Sequence, residues 1–356
     1  MLIVDKFEDQ LRKDIRDDNI SGSISAAIIR ENKVIWSKAF GASNRNGGSG
    51  ATTHTIYRAG SIAKSFTAFL MMQLVQSATI DLDHPVEIHL PEIRELEGYS
   101  DLTRITFRQL ASHTAGLIRE PKLEKADSGP IEEWENKVLL SIPKTSFESK
   151  PGERFSYSNI GYGILGVALS RAAQKPFIAM IEEKIFKPLH MENSFFVVPE
   201  HKLKNLAQGI GGGPFGEAAL DVEGPKNEHR GRGYKVPNGG IYSTPTDLGI
   251  FLMCNMGYMN ILEKKHLDLM HTKHTPEPSF HGYGLGFELY QDPAITITGH
   301  SGGVWGYTSY FGFEKSYQHG VIIMRNYNWG TTNWDFDPKI LLSKLADLAK
   351  NEYKAM

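Results

Sequence analysis

Two serines in this chain stand in patterns that suit a nucleophile. Ser301 lies in Gly299-His300-Ser301-Gly302-Gly303, a match to G-x-S-x-G, and Ser61 opens Ser61-Ile62-Ala63-Lys64, a match to S-x-x-K. The first pattern needs a strand, a sharp turn and a helix in succession, with an acid and then a histidine downstream. "AITIT" supplies the strand. "VWGYTSYFGF" after Gly303 is aromatic, β-branched and interrupted by Gly306, which is strand and turn chemistry rather than a helix. His319, in "EKSYQHG", is the only histidine downstream, and no catalytic acid is evident before it. Ser301 fails as an elbow nucleophile on context.

Ser61 follows Gly60 at the head of "SIAKSFTAFLMMQLVQSA", an almost continuously apolar run free of Gly and Pro. That composition predicts a helix buried on most sides. A serine there is ordinary as an N-cap. Residues three apart share a helix face, however, so the Lys64 amine can reach the Ser61 hydroxyl. Burial beside apolar neighbours and other cations lowers a lysine pKa toward neutrality and turns the amine into a base. The N-terminus of the helix adds N–H groups and partial positive charge suited to a developing oxyanion.

Other segments then fall into order. "YRAGSIAKSFTAFLMMQLVQ" is followed by "ITFRQLASHTAGL", then by "PGERFSYSNIGYGILG" with Tyr157-Ser158-Asn159, then by "NGGIYSTPTDLGIFL", "YGLGFEL" and "GHSGGVWGYTSYFGF". Between about residues 56 and 326 the chain resembles the serine β-lactamase and penicillin-binding protein superfamily, in its branch of class C β-lactamases, DD-peptidases and family VIII-type esterases. The resemblance implies an α/β (α+β) fold of the β-lactamase/transpeptidase type. It implies that Ser61 attacks a carbonyl and forms an acyl-enzyme, with Lys64 as base, directly or with Tyr157 relaying the proton. Asn159 would bond Lys64 and the substrate amide. The backbone N–H groups of Ser61 and Gly303 would form the oxyanion hole. His300-Ser301-Gly302 would be the third motif, on the strand facing the nucleophile. Ser301 would then bind substrate, and His300 would stand near Tyr157 or the substrate carboxylate. Lysine is usual at that position in true β-lactamases and histidine in DD-peptidases, D-aminopeptidases and esterases. A DD-peptidase-like or D-peptidase activity on a small or peptide substrate, such as a D-amino-acid peptide or a β-lactam, is therefore expected first. A carboxylesterase or a class C-like β-lactamase is the alternative, and an idle homologue that binds peptidoglycan or protein is the alternative of another class. The chemistry asks for no cofactor and no metal.

The elements that must hold these residues are split along the chain. Val4, Phe7, Leu11 and Ile15 predict a first helix, and "SISAAIIR" and "KVIWSKAFG" a hairpin. Helical pieces fill the middle: "ITFRQLASHTAGL", "NIGYGILGVALSRAA" and "TPTDLGIFLMCNM". Strand signals return after residue 282 in "YGLGFELY", "AITITGH", "YTSYFGFEK" and "HGVIIMRN". A last helix begins with Asp337 as N-cap and Pro338 as first residue. The expected organisation is an α/β domain of residues 1–80 plus 282–356, an inserted mainly helical domain of residues 81–281, and an active site between them.

Several function classes drop out. The formal net charge of −2 over 356 residues gives no electrostatic footprint for nucleic acid. Cys254 is the only cysteine, so no disulfide forms within the chain, and its apolar setting predicts a buried thiol. His271 and His274 form H-x-x-H without a zincin's glutamate and are expected at the surface. "GIGGGPFGE" lacks the G-K-[ST] of a phosphate loop and is expected to be a surface loop. The apolar opening, Met1 to Val4, is too short for a secretory leader, and no stretch approaches the roughly 20 apolar residues of a membrane span. The chain as written is expected to be cytoplasmic, or extracytoplasmic if a leader has been removed. Oligomeric state is not coded in these patterns.

Overall fold

The structure, a computed structural model, describes residues 3–18, 20–44, 50–211, 221–278, 282–291, 295–316, 318–328 and 338–354. Among them seven strands form one antiparallel sheet, and composition decides which lie inside it. β1 (Ser23–Arg30) is buried along nearly its whole length, as a strand paired on both edges and covered on both faces must be. β2 (Lys33–Gly41) is mostly exposed and carries Lys33 and Lys38, charges that discourage pairing with another chain. The other strands are β3 (Gly282–Tyr283), β4 (Glu288–Gln291), β5 (Thr296–Val304), β6 (Tyr307–Glu314) and β7 (His319–Arg325), in the order β2-β1-β7-β6-β5-β4-β3. β1 pairs with β7, Ile24 opposite Arg325, so the sheet joins the two ends of the chain.

Strand alternation sends side chains to two cores. Ala27 and Ile29 of β1, with Ile322 and Met324 of β7, face a large cluster. That cluster includes residues of α2 (Ala63–Gln76), α3 (Asn159–Ala173) and α4 (Pro245–Asn255). Ile24, Ala26 and Ile28, with Val321 and Ile323, face the other way. They meet Phe7 and Leu11 of α1 (Ile3–Asp18) and Leu341, Leu342 and Leu345 of α5 (Pro338–Lys354). All seven strands fall within residues 1–80 and 282–356, but packing does not stop at those limits. The large cluster runs through both parts, and Tyr57–Arg58 pairs with Tyr242–Ser243 across the boundary.

Some sequence expectations need correction. The helix in "ITFRQLASHTAGL" is confined to Phe107–Ala111, because His113 (φ 58°) and Gly116 (φ 72°) turn the backbone left-handed. His271 and His274 are half-buried rather than superficial. His271 packs edge-on to Phe287 and Phe313 and reaches Asn255 Oδ1 at 3.2 Å. Of the glycine cluster, Ile210 and Gly211 are buried, and Gly209 and Gly211 leave no room for a Cβ beside Tyr307 and Trp305. Residues 212–217 of that cluster, and the expected N-cap Asp337, lie outside the described residues. Cys254 is buried in α4, as expected.

α2 carries Lys64 into the middle of the molecule, with Ser61 in the turn that leads into it, and its own anchor is aromatic. Phe66, fully buried, stacks on Phe251 of α4 with ring centroids 3.8 Å apart. Phe66→Ala should therefore cost about 3–5 kcal/mol of stability, read as a lower midpoint in urea unfolding.

Candidate active site

Ser61 sits where the backbone is tightest. Gly60–Ile62 form one turn of 3-10 helix that runs directly into α2. Gly60 has φ +55°, and a Cβ there would lie 2.9 Å from the Gly303 nitrogen of β5. A Cβ on Gly302 would lie 2.2 Å from both the Ala59 carbonyl oxygen and Ser309 Oγ, which themselves hydrogen-bond at 2.8 Å. Only glycine lets the head of α2 and strand β5 approach this closely. The Gly303 nitrogen is thereby brought close to Gly60, the residue before Ser61, and the space around the Gly303 Cα stays open. Ser61 is half-buried, and the capping positions belong to Ala59 and Ile62, so its hydroxyl is not spent as an N-cap.

Lys64 is fully buried. Its Nζ lies 3.1 Å from Ser61 Oγ, 2.8 Å from Asn159 Oδ1 and 3.3 Å from the Asn238 carbonyl oxygen. Burial holds the Lys64 pKa well below the usual lysine range, and the nearby cations Arg119, Arg232 and Lys235 press the same way; Glu120 opposes them. A neutral amine has two N–H groups and one lone pair. The two carbonyl oxygens, of Asn159 and Asn238, can only accept, so they take the N–H groups and leave the lone pair for the Ser61 hydroxyl. Geometry and burial both favour the neutral amine at this position.

Tyr157 and Asn159 reach the same point from the start of α3. Ser158 caps that helix by accepting from the Gly161 N–H at 3.0 Å. The turn is bolted down on its other side, with Ser158 Oγ donating to the Ile118 carbonyl and the Ser158 N–H to His113 Nδ1. The Tyr157 hydroxyl lies close enough to the Ser61 side chain for the two to interact. Its ring is sandwiched, with His113 at 4.2 Å, Lys64 Nζ at 4.8 Å and the Arg119 guanidinium at 4.9 Å from the centroid. Burial pushes the Tyr157 pKa up, so its phenol stays protonated. The structure thus brings together Ser61, Lys64, Tyr157 and Asn159, and sets the backbone of Gly302 and Gly303 against them.

The third-motif side chains part company. On β5 alternate residues face opposite sides, so His300 and Ser301 cannot both line one cleft. Ser301 is exposed and donates to Glu288 Oε1 at 2.9 Å. His300 is 1% exposed, its Nε2 2.8 Å from the Tyr283 hydroxyl and its Nδ1 2.6 Å from the Ser301 carbonyl oxygen. A carbonyl can only accept, so Nδ1 carries the proton and Nε2 accepts from Tyr283. Burial lowers the His300 pKa, the Lys64 charge adds to this and Glu288 opposes it. Both ring nitrogens are occupied, and neither is left for a substrate carboxylate.

Sequence reasoning missed several participants. Asn238 supplies a carbonyl to Lys64 and its side-chain amide donates to the Asn159 carbonyl at 2.9 Å. Glu120 accepts from Asn159 Nδ2 at 2.7 Å. His113 is buried against Tyr157 and Tyr162, the Lys64 charge adding to a burial that keeps it neutral. A cavity of about 360 Å³ opens beside Tyr157, lined among others by Arg119, Tyr283, Glu288, Tyr290 and Lys339. Among the described residues no group of His, Cys, Asp and Glu is arranged to hold a metal ion, and no single helix is long and apolar enough to cross a membrane.

An antiparallel sheet with helices on both faces, and a serine–lysine pair at the head of a buried helix facing a strand, define the serine β-lactamase/transpeptidase fold. A family model described as Beta-lactamase matches residues 5–344, and the chain belongs to that family. It is 30% identical over 330 residues to Beta-lactamase-like protein 2 of Dictyostelium discoideum, covering 89% of this chain and 58% of that protein. The chain spans less than two thirds of the length of the curated relatives it matches. Among solved structures it superposes on an octameric penicillin-binding protein homologue from Pyrococcus abyssi with a TM-score of 0.78 at 25% identity, covering 98% of this chain and 78% of that one. It superposes on a class C β-lactamase with a TM-score of 0.79 at 20% identity, covering 97% and 96%.

The contact at Gly302 is testable. Gly302→Ala should force β5 away from Ala59 and cost about 1–3 kcal/mol, as overpacking does. Its thermal midpoint should fall, and nucleophilic reactivity at Ser61 should fall with it as the strand shifts. Unchanged values for both would show that the strand and the nucleophile turn are not in close contact.

Proposed function

We propose that the chain is a serine hydrolase that carries the acyl group of a peptide, amide or ester as an ester on Ser61. A DD-peptidase-like or D-peptidase activity on a D-amino-acid peptide is the first reading. The observation that carries the mechanism is the buried Lys64 amine, 3.1 Å from Ser61 Oγ with two carbonyl oxygens on its other side. Ser61 Oγ bonds to the substrate carbonyl carbon as its proton passes to Lys64. The oxyanion is received by the N–H groups of Ser61 and Gly303. Collapse breaks the bond to the leaving group, which takes a proton through Tyr157. Water then adds to the acyl-enzyme, and the cleaved ester returns Ser61. Asn159 holds Lys64 and offers its amide to the substrate, while Ser301 lines the far side of the cleft as a binding hydroxyl.

A carboxylesterase is the second reading, and a separate observation favours it. With both His300 nitrogens engaged, the third motif offers no cation to a leaving-group carboxylate, as suits an uncharged ester. The same observation weighs against efficient β-lactam turnover.

Intact mass after benzylpenicillin, together with turnover of a chromogenic ester, tests both readings. A penicilloyl adduct is expected on the native chain and on Ser301→Ala and none on Ser61→Ala, whose ester turnover should fall by at least about 10³-fold. Ester turnover without an adduct would select the esterase. Loss confined to Ser301→Ala, or no turnover and no adduct on the native chain, would overturn the mechanism. The pH profile has a defined sign. Only neutral Lys64 is a base, so kcat/KM should fall as pH drops through its lowered pKa, with half-activity well below the ordinary lysine pKa of about 10.4.

A further inference from the structure

One carboxylate stands next to this machinery without belonging to any motif. Glu120 Oε1 accepts from Asn159 Nδ2 at 2.7 Å, and the Asn159 oxygen faces Lys64 Nζ at 2.8 Å. An amide can sit either way round, and its two ends are sterically alike. Turned over, it would aim its NH2 group at the Lys64 amine and its oxygen at the Glu120 carboxylate, losing an acceptor at one end and a donor at the other. Glu120, which can only accept, forbids that orientation.

The backbone prepares this contact. The Arg119 carbonyl accepts from the Asn159 N–H at 2.9 Å, fixing residues 119–120 to the first turn of α3. The charges around Lys64 give Glu120 a second effect. Arg119, Arg232 and Lys235 act on the amine as cations, and Glu120 acts on it as an anion. Its carboxylate is 3.7 Å from Arg119 Nε and 3.5 Å from Lys235 Nζ. The remaining titratable neighbours are the buried imidazoles of His113 and His300 and the phenols of Tyr157 and Tyr162. Burial holds the imidazoles neutral and keeps the phenols protonated, so none of the four adds charge.

We propose that Glu120 is a positioning residue for the base: it locks the Asn159 amide with its oxygen toward Lys64, and its charge offsets the cations that surround that amine. The inference rests on the Ser61–Lys64 reading above. Glu120→Gln keeps an oxygen that can accept from Asn159 but removes the charge; Glu120→Ala removes both.

The measurement is the rate at which a fluorophosphonate labels Ser61, followed by intact mass from about pH 5 to 10. In that reaction the Ser61 Oγ–P bond forms, the P–F bond breaks, fluoride leaves, and the hydroxyl proton passes through Lys64 to solvent. A nearby negative charge favours the ammonium, so removing it makes Lys64 easier to deprotonate. The acid limb of Glu120→Gln should therefore move to lower pH by on the order of one unit, a Coulomb effect of the expected size at these separations. Glu120→Ala should label about tenfold or more slowly across the range, because Asn159 is free to turn, and Glu120→Gln should recover most of that rate. Thermal unfolding of each variant shows that it is folded. If Glu120→Ala does not fold, the limb of Glu120→Gln decides alone. An acid limb in Glu120→Gln that coincides with the native one, or equal slowing in both variants, overturns the inference. A native chain that is not labelled at Ser61 overturns the serine-hydrolase reading and this inference with it.

Discussion

The dehydration of one amine organises this site. Lys64 is shut away from water, and an ammonium held there costs several kcal/mol unless an anion compensates it. The protein instead surrounds Nζ with uncharged acceptors and keeps the carboxylate of Glu120 one amide away. Burial favours the neutral form of an amine in that position. The Tyr157 ring lies over the same amine, with His113 packed against it, and helps to shield Lys64 from water.

This constraint reaches outward into the fold. For the amine to be dry, α2 must run through the centre of the molecule, which is why its residues are apolar on nearly every side and why Phe66 stacks on Phe251. For a substrate to reach Ser61 all the same, one strand must lie against the head of that helix without covering it. Gly60 and Gly302 make the approach and Gly303 leaves the space. The two features, a buried Lys64 amine and a half-buried Ser61 hydroxyl, lie about one helical turn apart.

How much of this could be read from the residues follows from what kind of contact each one makes. Ser61 and Lys64 are a local pair, three residues apart on one helix, so spacing alone proposed their contact. Tyr157 and Asn159 came through ordered motifs. Asn238 did not, because what it gives Lys64 is a backbone carbonyl, which any residue possesses. Glu120 and His113 act across chain separations that no local pattern encodes. His300 shows a different limit. Its type and position were legible, but strand alternation, once Ser301 faces outward, turns it into the interior. The larger elements were read well where apolar periodicity was long. They were misjudged where one left-handed residue, such as His113, ends a helix early, or where glycines serve as close-packing surfaces rather than as loop.

The pairing of β1 with β7 sets an order of events during synthesis. Ile24 and Arg325 are opposite one another in the sheet, so β1, paired early with β2, waits for about 300 further residues before its second partner exists. At roughly 5–20 residues per second that is on the order of 15–60 s on the ribosome. Until then β1 has β2 and α1 beside it, while its face toward the large cluster lacks Ile322 and Met324. A chain cut short before β7 would carry Ser61 and Lys64 but lack the strand that joins the two ends of the sheet. The seven-stranded sheet is completed only when its last strand in sequence, β7, has been made.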